Sequence, residues 1–203
     1  ERLGSSYDDI RLKDYKLNSN GTRIFYADDN GLYWNVTTDK KSEPTKIASS
    51  VSSFEIDANG DNVVLYTDSN DLYKYNVAKD EKEKISSNVG TYRCDDSLNK
   101  IAFMTYDSSL YFVNGNSDKE KIDSDVSSWD CNSDYTVFYY SKDDSYYKKS
   151  AGSEEKEKLI SGFYSNLAIF PDSGKIYYTK ESKITIKYSD VVIDDLADSG
   201  SKM

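Results

Sequence analysis

The chain has 203 residues and no histidine, and its 26 Lys and Arg stand against 36 Asp and Glu, a net charge of −10. That length holds one ordinary domain or two small ones, the 14% aromatic content is too high for a wholly disordered chain, and the acidic balance argues against nucleic-acid binding, which needs a basic footprint. Without imidazole, Ser-His-Asp and Cys-His catalysis are excluded and the commonest zinc ligand is missing, and no apolar run approaches the roughly 18 residues of a membrane span.

The chain opens on Glu1 without a signal-peptide pattern, so it reads as a domain whose targeting segment lies elsewhere. RLKDYKLN, with Leu12 and Tyr15, leads into the turn NSNGT. RIFYADDNGLYWNV (from Arg23) then reads as a hairpin, two β-branched and aromatic runs around an Asx-rich turn. KIASSVSSFEID follows, with Ile47 and Val51 four residues apart. The same succession returns as VVLYTDSNDLYKYNV (Val63–Val77) and KISSNVGTYRCD, then as KIAFMTYDSSLYFVN and KIDSDVSSWDCN, then as TVFYYSKDDSYYKKS and KLISGFYSNLAIF. A fifth hairpin, KIYYTKESKITIKYS (from Lys175), precedes VVID (Val191–Asp194).

In every hairpin one bulky residue precedes another by six positions: Tyr26 to Leu32, Tyr66 to Leu72, Met104 to Leu110, Tyr140 to Tyr146, Tyr178 to Ile184. That spacing aligns Tyr66 with Tyr26, Met104, Tyr140 and Tyr178. Leu12, Val51, Val89, Val126 and Phe163 mark a second register, separated by 39, 38, 37 and 37 residues. Four short strands in a period of about 40 residues is the size of a propeller blade; a sandwich or an up-and-down barrel does not require a fixed four-strand period. The expected fold is all-β, a five-bladed β-propeller of four-stranded antiparallel blades. It forms a single domain over 1–203, with blades near 7–50, 51–88, 89–125, 126–162 and 163–196 and a tail at 197–203.

LAIFPDSGKIYYT (Leu167–Thr179), DANGDNVVLYTDSNDLYKYNV and the "LY" element of GLYWNV, DLYKYNV and SLYFVN resemble the repeat of TolB-type, WD-like bacterial propellers. The resemblance covers nearly the whole chain at the level of the repeat, which identifies architecture and not activity. It implies a non-catalytic binding or scaffolding domain of the cell envelope or extracellular space. The expected partner is an unknown protein or a cationic partner, or a carbohydrate as the alternative, with no nucleic acid, no membrane insertion by this domain and no cofactor.

The B–C hairpin loops ADDNG, TDSND, TYDSS, SKDDS and TKESK carry Asp28, Asp29, Asp68, Asp71, Asp107, Asp143, Asp144 and Glu181 against Lys142, Lys180 and Lys183. Eight acids and three lysines make −5, half the net charge, and an up-and-down meander would gather these loops on one acidic rim able to dock a basic partner; solvated polar turns are the plainer reading. On the innermost strands Lys16, Glu55, Arg93, Asp130 and Ala168 fall in one column whose signs alternate, which suggests a structural ring of ion pairs. The adjacent column places Cys94 and Cys131 with Leu17, Ile56 and Ile169, a core position for a small hydrophobe, and predicts no disulfide because both thiols project the same way. A lectin-like carbohydrate binder is the alternative, with tyrosines and Trp34 as stacking surfaces and Tyr106 and Tyr164 near loops. A glycosidase built on Glu55 and Asp130 is weaker still, since Lys16 and Arg93 would neutralise the pair. Asp57, Asn59, Asp61 and Asp68 mimic the spacing of a calcium loop, but position six is Asn62 and not Gly. The Lys/Glu-rich C–D segments, such as AKDEKEK, read as protection of an outer edge.

Overall fold

The structure is a computed structural model that describes residues 12–115, 117–162, 167–180, 183–188 and 191–193, with side chains through residue 178. Among the described residues the β-rich runs form twenty strands in five four-stranded antiparallel sheets, each strand beside its predecessor in chain order. The first sheet holds β1 (Asp14–Leu17), β2 (Arg23–Asp28), β3 (Gly31–Val36) and β4 (Thr45–Ala48); the second holds β5 (Ser53–Ile56), β6 (Asn62–Tyr66), β7 (Leu72–Asn76) and β8 (Glu81–Ser86). The third comprises β9 (Val89–Cys94), β10 (Lys100–Thr105), β11 (Leu110–Asn114) and β12 (Glu120–Asp123); the fourth comprises β13 (Ser128–Cys131), β14 (Val137–Lys142), β15 (Ser145–Ser150) and β16 (Lys156–Ser161). The fifth is β17 (Ala168–Phe170), β18 (Lys175–Lys180), β19 (Lys183–Tyr188) and β20 (Val191–Ile193). Two compact units divide the chain, residues 1–106 and 107–203. Among the described residues no helix is long and apolar enough to cross a membrane.

The A–B hairpins share one register. Leu17 pairs with Ile24, Ile56 with Val63 and Cys94 with Ile101 in the first unit, and Cys131 with Phe138 and Ile169 with Ile176 in the second. An Asx side chain opens four of the five turns, because a short carboxylate or amide can close the backbone locally. Asn18 accepts from the Arg23 N–H at 2.8 Å, Asp57 from the Asp61 N–H at 2.8 Å, Asp95 from the Lys100 N–H at 2.8 Å and Asn132 from the Val137 N–H at 2.9 Å.

The C–D pairing is broken by a β-bulge at the same place in four sheets, between Leu32 and Tyr33, Leu72 and Tyr73, Leu110 and Tyr111, and Tyr146 and Tyr147. The extra residues opposite are Ile47, Ile85, Ile122 and Leu159, the aliphatics of the repeat's second signature. A bulge leaves a backbone group outside the ladder. Lysines of the following sheet reach two of these carbonyls: Lys82 Nζ donates to the Ile47 carbonyl at 3.2 Å and Lys149 Nζ to the Ile122 carbonyl at 3.0 Å.

In the first unit, Phe25, Ala27 and Leu32 of the first sheet pack against Phe54, Val63 and Leu65 of the second, all between 0 and 4% exposed. Val63, Val64 and Leu65 are consecutive and all fully buried. That strand is covered on both faces, which is why its apolar residues run on instead of alternating. Burial of each such side chain contributes about 1.5–3 kcal/mol.

The six-residue spacing does not mark one column. Ala27 pairs with Leu32 and Ser141 with Tyr146, five positions apart, whereas Tyr66 pairs with Leu72, six apart. The residues two beyond Ile24, Val63, Ile101, Phe138 and Ile176 are Tyr26, Leu65, Phe103, Tyr140 and Tyr178, so Tyr66 and Met104 lie one position off. In a strand one position is the opposite face. Tyr66 reaches forward, its ring tilted against Tyr92 at 5.8 Å and its hydroxyl donating to the Val89 carbonyl at 2.7 Å. Tyr140 reaches back to Asp123 at 2.8 Å.

Candidate functional site

The B–C turns place their acids unequally. Asp28 is 6% exposed and accepts the N–H groups of Asn30 and Gly31 at 2.7 and 3.0 Å. It closes its own turn and is not on the rim the sequence suggested. Asp71 is likewise withdrawn, held by Lys84 Nζ at 2.7 Å and by the Tyr73 hydroxyl at 3.2 Å. The lysine contact is the main cause of its depressed pKa. Asp29, Asp68, Asp107, Asp143 and Asp144 are exposed. Asp29 makes a surface pair with Lys13 at 3.4 Å, and Asp68 accepts from Ser52 Oγ at 2.5 Å. Asp143 and Asp144 both have positive φ, 48° and 54°, as a tight two-residue hairpin turn demands. Glu181 lies outside the described residues, as do Phe163 and Tyr164.

On the inner strands, Lys16 Nζ lies 2.7 Å from Glu55 Oε2 and 5.6 Å from the Phe54 ring centroid. Arg93 is exposed, and the Asp130 carboxylate accepts the Cys131 N–H at 2.8 Å. Cys94 and Cys131 are half-buried thiols, neither of them in a disulfide. Their column is less enclosed than a core position, for its first member, Leu17, is 51% exposed. Burial first, then the charges of Glu55 and Asp95, push the Cys94 thiol up to about 12. Trp34, the aromatic proposed for sugar stacking, lies against Phe25 at 6.4 Å with Arg23 over its ring, and serves packing. Tyr106, by contrast, is 65% exposed. The calcium-like spacing dissolves into local bonds, with Asp57 closing its turn and Asp61 paired to Arg23 at 2.5 Å. Among the described residues no group of three or more metal-ligating side chains is assembled.

Two features of the second and first units escaped the sequence reading. Where Leu32 and Leu72 face Ala48 and Ser86, Leu110 faces Asp123. This carboxylate, 13% exposed, accepts from Lys156 at 2.5 Å, Tyr140 at 2.8 Å, the Ser124 N–H at 2.8 Å and Lys142 at 3.1 Å. Burial alone would raise its pKa; the lysines and the other donors outweigh that and hold it well below the carboxylate range. Lys142, counted from sequence as a rim cation, is thereby drawn inward. The other feature is a repeated cation–π contact on the outer edge. Lys46 covers Tyr33, Lys82 and Lys84 cover Tyr73, Lys119 and Lys121 cover Tyr111, and Lys156 and Lys158 cover Tyr147, at 4.5–5.8 Å. The K-E-K spacing was the available signal, since residues two apart on a strand share a face.

Two recesses open in the second unit. One, about 320 Å³, lies at the outer edge by Phe112, Glu120 and Gly152. The other, about 210 Å³, lies between the fourth and fifth sheets, lined by Ser128, Asp130, Tyr139, Tyr146, Leu167 and Ile169 and bordered by Trp129 and Tyr140.

No protein-family model matches the chain, and no curated protein does. Solved structures do. The chain is similar to the β-propeller domain of Myceliophteria thermophila Cps50 (Swd1), with TM-score 0.51 and 8% identity over 99% of this chain and 71% of that one. It is also similar to the N-terminal domain of Nup159, with TM-score 0.52 and 14% identity over 86% of this chain and 57% of that one. The fold is a β-propeller. Its five sheets are the blades, and at such identities the likeness concerns architecture alone.

Proposed function

We propose that this propeller is a non-catalytic protein-binding scaffold that docks a basic partner through its B–C turns, in the cell envelope or outside the cell. The carrying observation is the outward placement of Asp29 and Asp68 in the first unit and of Asp107, Asp143 and Asp144 in the second. Exposed like charge on the turns of each unit steers an oppositely charged partner and sets its on-rate more than its final affinity. The inward turn of Lys142 toward Asp123 leaves the Asp143–Asp144 tip with a more negative field than the sequence count implied. The TolB-type reading of the repeat supports the extracytoplasmic address, and the exposed ring of Tyr106 supports a carbohydrate-binding alternative.

The test is binding of a lysine-rich peptide, followed by fluorescence anisotropy against ionic strength. The wild type binds with a steep salt dependence. Asp29→Lys, Asp68→Lys and Asp143→Lys combined abolish it, while Asp28→Asn lowers stability without a separate effect on binding. Equal binding by the triple variant at low salt sinks the proposal. A glycan array scores the carbohydrate reading.

A further inference from the structure

The B–C turns carry one aromatic among their acids. The residue five beyond Ile24, Val63 and Phe138 is Asp29, Asp68 and Asp143 in turn, whereas five beyond Ile101 it is Tyr106. The facing position changes with it. Lys13 follows Leu12 and Ser52 follows Val51, and each bonds the acid of its own blade's turn: Lys13 Nζ lies 3.4 Å from Asp29, and Ser52 Oγ donates to Asp68 at 2.5 Å. Gly90 follows Val89, and a Cβ placed there would lie 3.7 Å from two carbons of the Tyr106 ring. A polar side chain bonded to a carboxylate is thus exchanged, as a pair, for a glycine with a phenol ring against it.

The exchange leaves an aromatic surface fixed in place and open to water. Tyr106 is 65% exposed, the most of any large hydrophobic side chain among the described residues. Its N–H donates to the Asn88 carbonyl at 2.8 Å and its hydroxyl to Asn70 Oδ1 at 3.4 Å, so both ends of the residue are tied. Asn70 belongs to the second blade's turn, which also carries the exposed Asp68. All these groups lie in the first unit.

The surroundings select the occupant. A stacked sugar needs several hydrogen-bonding groups beside the ring, and the amide oxygen next to Tyr106 already accepts the Tyr66 hydroxyl at 2.6 Å. An apolar side chain would gain nothing from the acids. A guanidinium gains twice: its plane stacks on an aromatic ring, and its N–H groups stay available at the edge for a carboxylate. Asp68 accepts the Ser52 hydroxyl, and a carboxylate has room for further donors. An ammonium is more strongly hydrated and has no plane to stack.

We propose that Tyr106 seats an arginine side chain of the basic partner, stacked on the ring while its N–H groups meet the turn acids, Asp68 first among them. This rests on the reading of the B–C turns as the docking face, and adds the side chain which that face selects.

Two peptides of equal length and charge, one of arginine and glycine and one of lysine and glycine, are titrated with the whole chain by fluorescence anisotropy at fixed ionic strength. The wild type binds the arginine peptide about two- to fivefold more tightly than the lysine peptide. Tyr106→Ala loses that preference and keeps its affinity for the lysine peptide. Gly90→Ser combined with Tyr106→Asp rebuilds the pair of the second blade and adds a negative charge. It binds the lysine peptide at least as tightly as the wild type does, without preferring arginine. Thermal melts show that both variants are folded. Equal affinity of the wild type for the two peptides overturns the proposal, as does an arginine preference that survives in either folded variant; intact lysine-peptide binding then leaves docking by the acidic turns standing. Glycan binding that is lost in Tyr106→Ala assigns the ring to a sugar and overturns it too. Absence of binding by either peptide overturns both readings.

Discussion

Removing the Asp123 carboxylate tests how far one departure from the repeat holds two consecutive blades together. In Asp123→Ala, Tyr140 (1% exposed) and Lys142 (side chain 17% exposed) lose their acceptor. A buried hydroxyl left unsatisfied costs about 1–3 kcal/mol. Lys142 retains Asp125 at 3.4 Å, and Lys156, with its side chain 37% exposed, can turn to water, so neither brings the full penalty of a stranded buried charge. The expected loss is about 3 kcal/mol, or a melting temperature lower by roughly 6–12 °C for a chain of this size. Asp125→Asn is the control, because that side chain is 75% exposed, Asn tolerates the positive φ of 57° at this position, and the change costs less than about 0.5 kcal/mol. The pH dependence has a fixed sign. The folded-state pKa of Asp123 is depressed, so its stabilisation is fully present above the unfolded value near ~3.9 and is lost as pH falls below it. Urea unfolding of wild type and Asp123→Asn, followed by tyrosine and tryptophan fluorescence, therefore shows a gap at pH 7 that narrows steadily below about pH 4. A loss in Asp123→Ala no larger than that in Asp125→Asn refutes the assignment, as does a gap that persists undiminished at low pH.

Gly31 has φ +144°, and a Cβ there would stand 2.0 Å from the Ala48 carbonyl oxygen, so Gly31→Ala costs upward of about 3 kcal/mol in a thermal melt. Gly115→Ala, at φ +63° with open space around it, costs about 1 kcal/mol. Native Cys94, with its thiol pushed up to about 12, reacts with a disulfide reagent at pH 8 far more slowly than in urea, and Glu55→Gln accelerates the native reaction; a slower reaction in that variant contradicts the electrostatic account. Tyr66→Phe loses the hydroxyl's bonds to Asn70 and Val89, at 2.6 and 2.7 Å, and lowers stability by about 1 kcal/mol with the same fluorescence assay.

Much of the architecture was legible in local chemistry. The Asx residues opening the A–B turns, the "LY" pairs and the K-I dipeptides each act over a few residues, and each became a turn, a buried leucine beside a surface tyrosine, or a bulge. The acidic turns were legible as turns, yet the destination of each carboxylate was not. Asp28 and Asp29 are neighbours in sequence; one is buried against its own backbone and the other faces water, because hydrogen-bond geometry inside a four-residue turn separates them.

The sequence by itself determined the period, the strand count and the class of fold, since those follow from composition repeated at fixed intervals and from the turn chemistry between. Tertiary structure alone decided which face each residue serves. Tyr26 and Tyr66 share a motif and a spacing, but the second hairpin carries its extra residue in the loop, and a strand's two-residue period turns that single step into a reversal of faces. Tertiary structure also decided where charge is enclosed. Asp123 sits in a motif like its siblings and gains its lysines from strands 19 and 33 residues away.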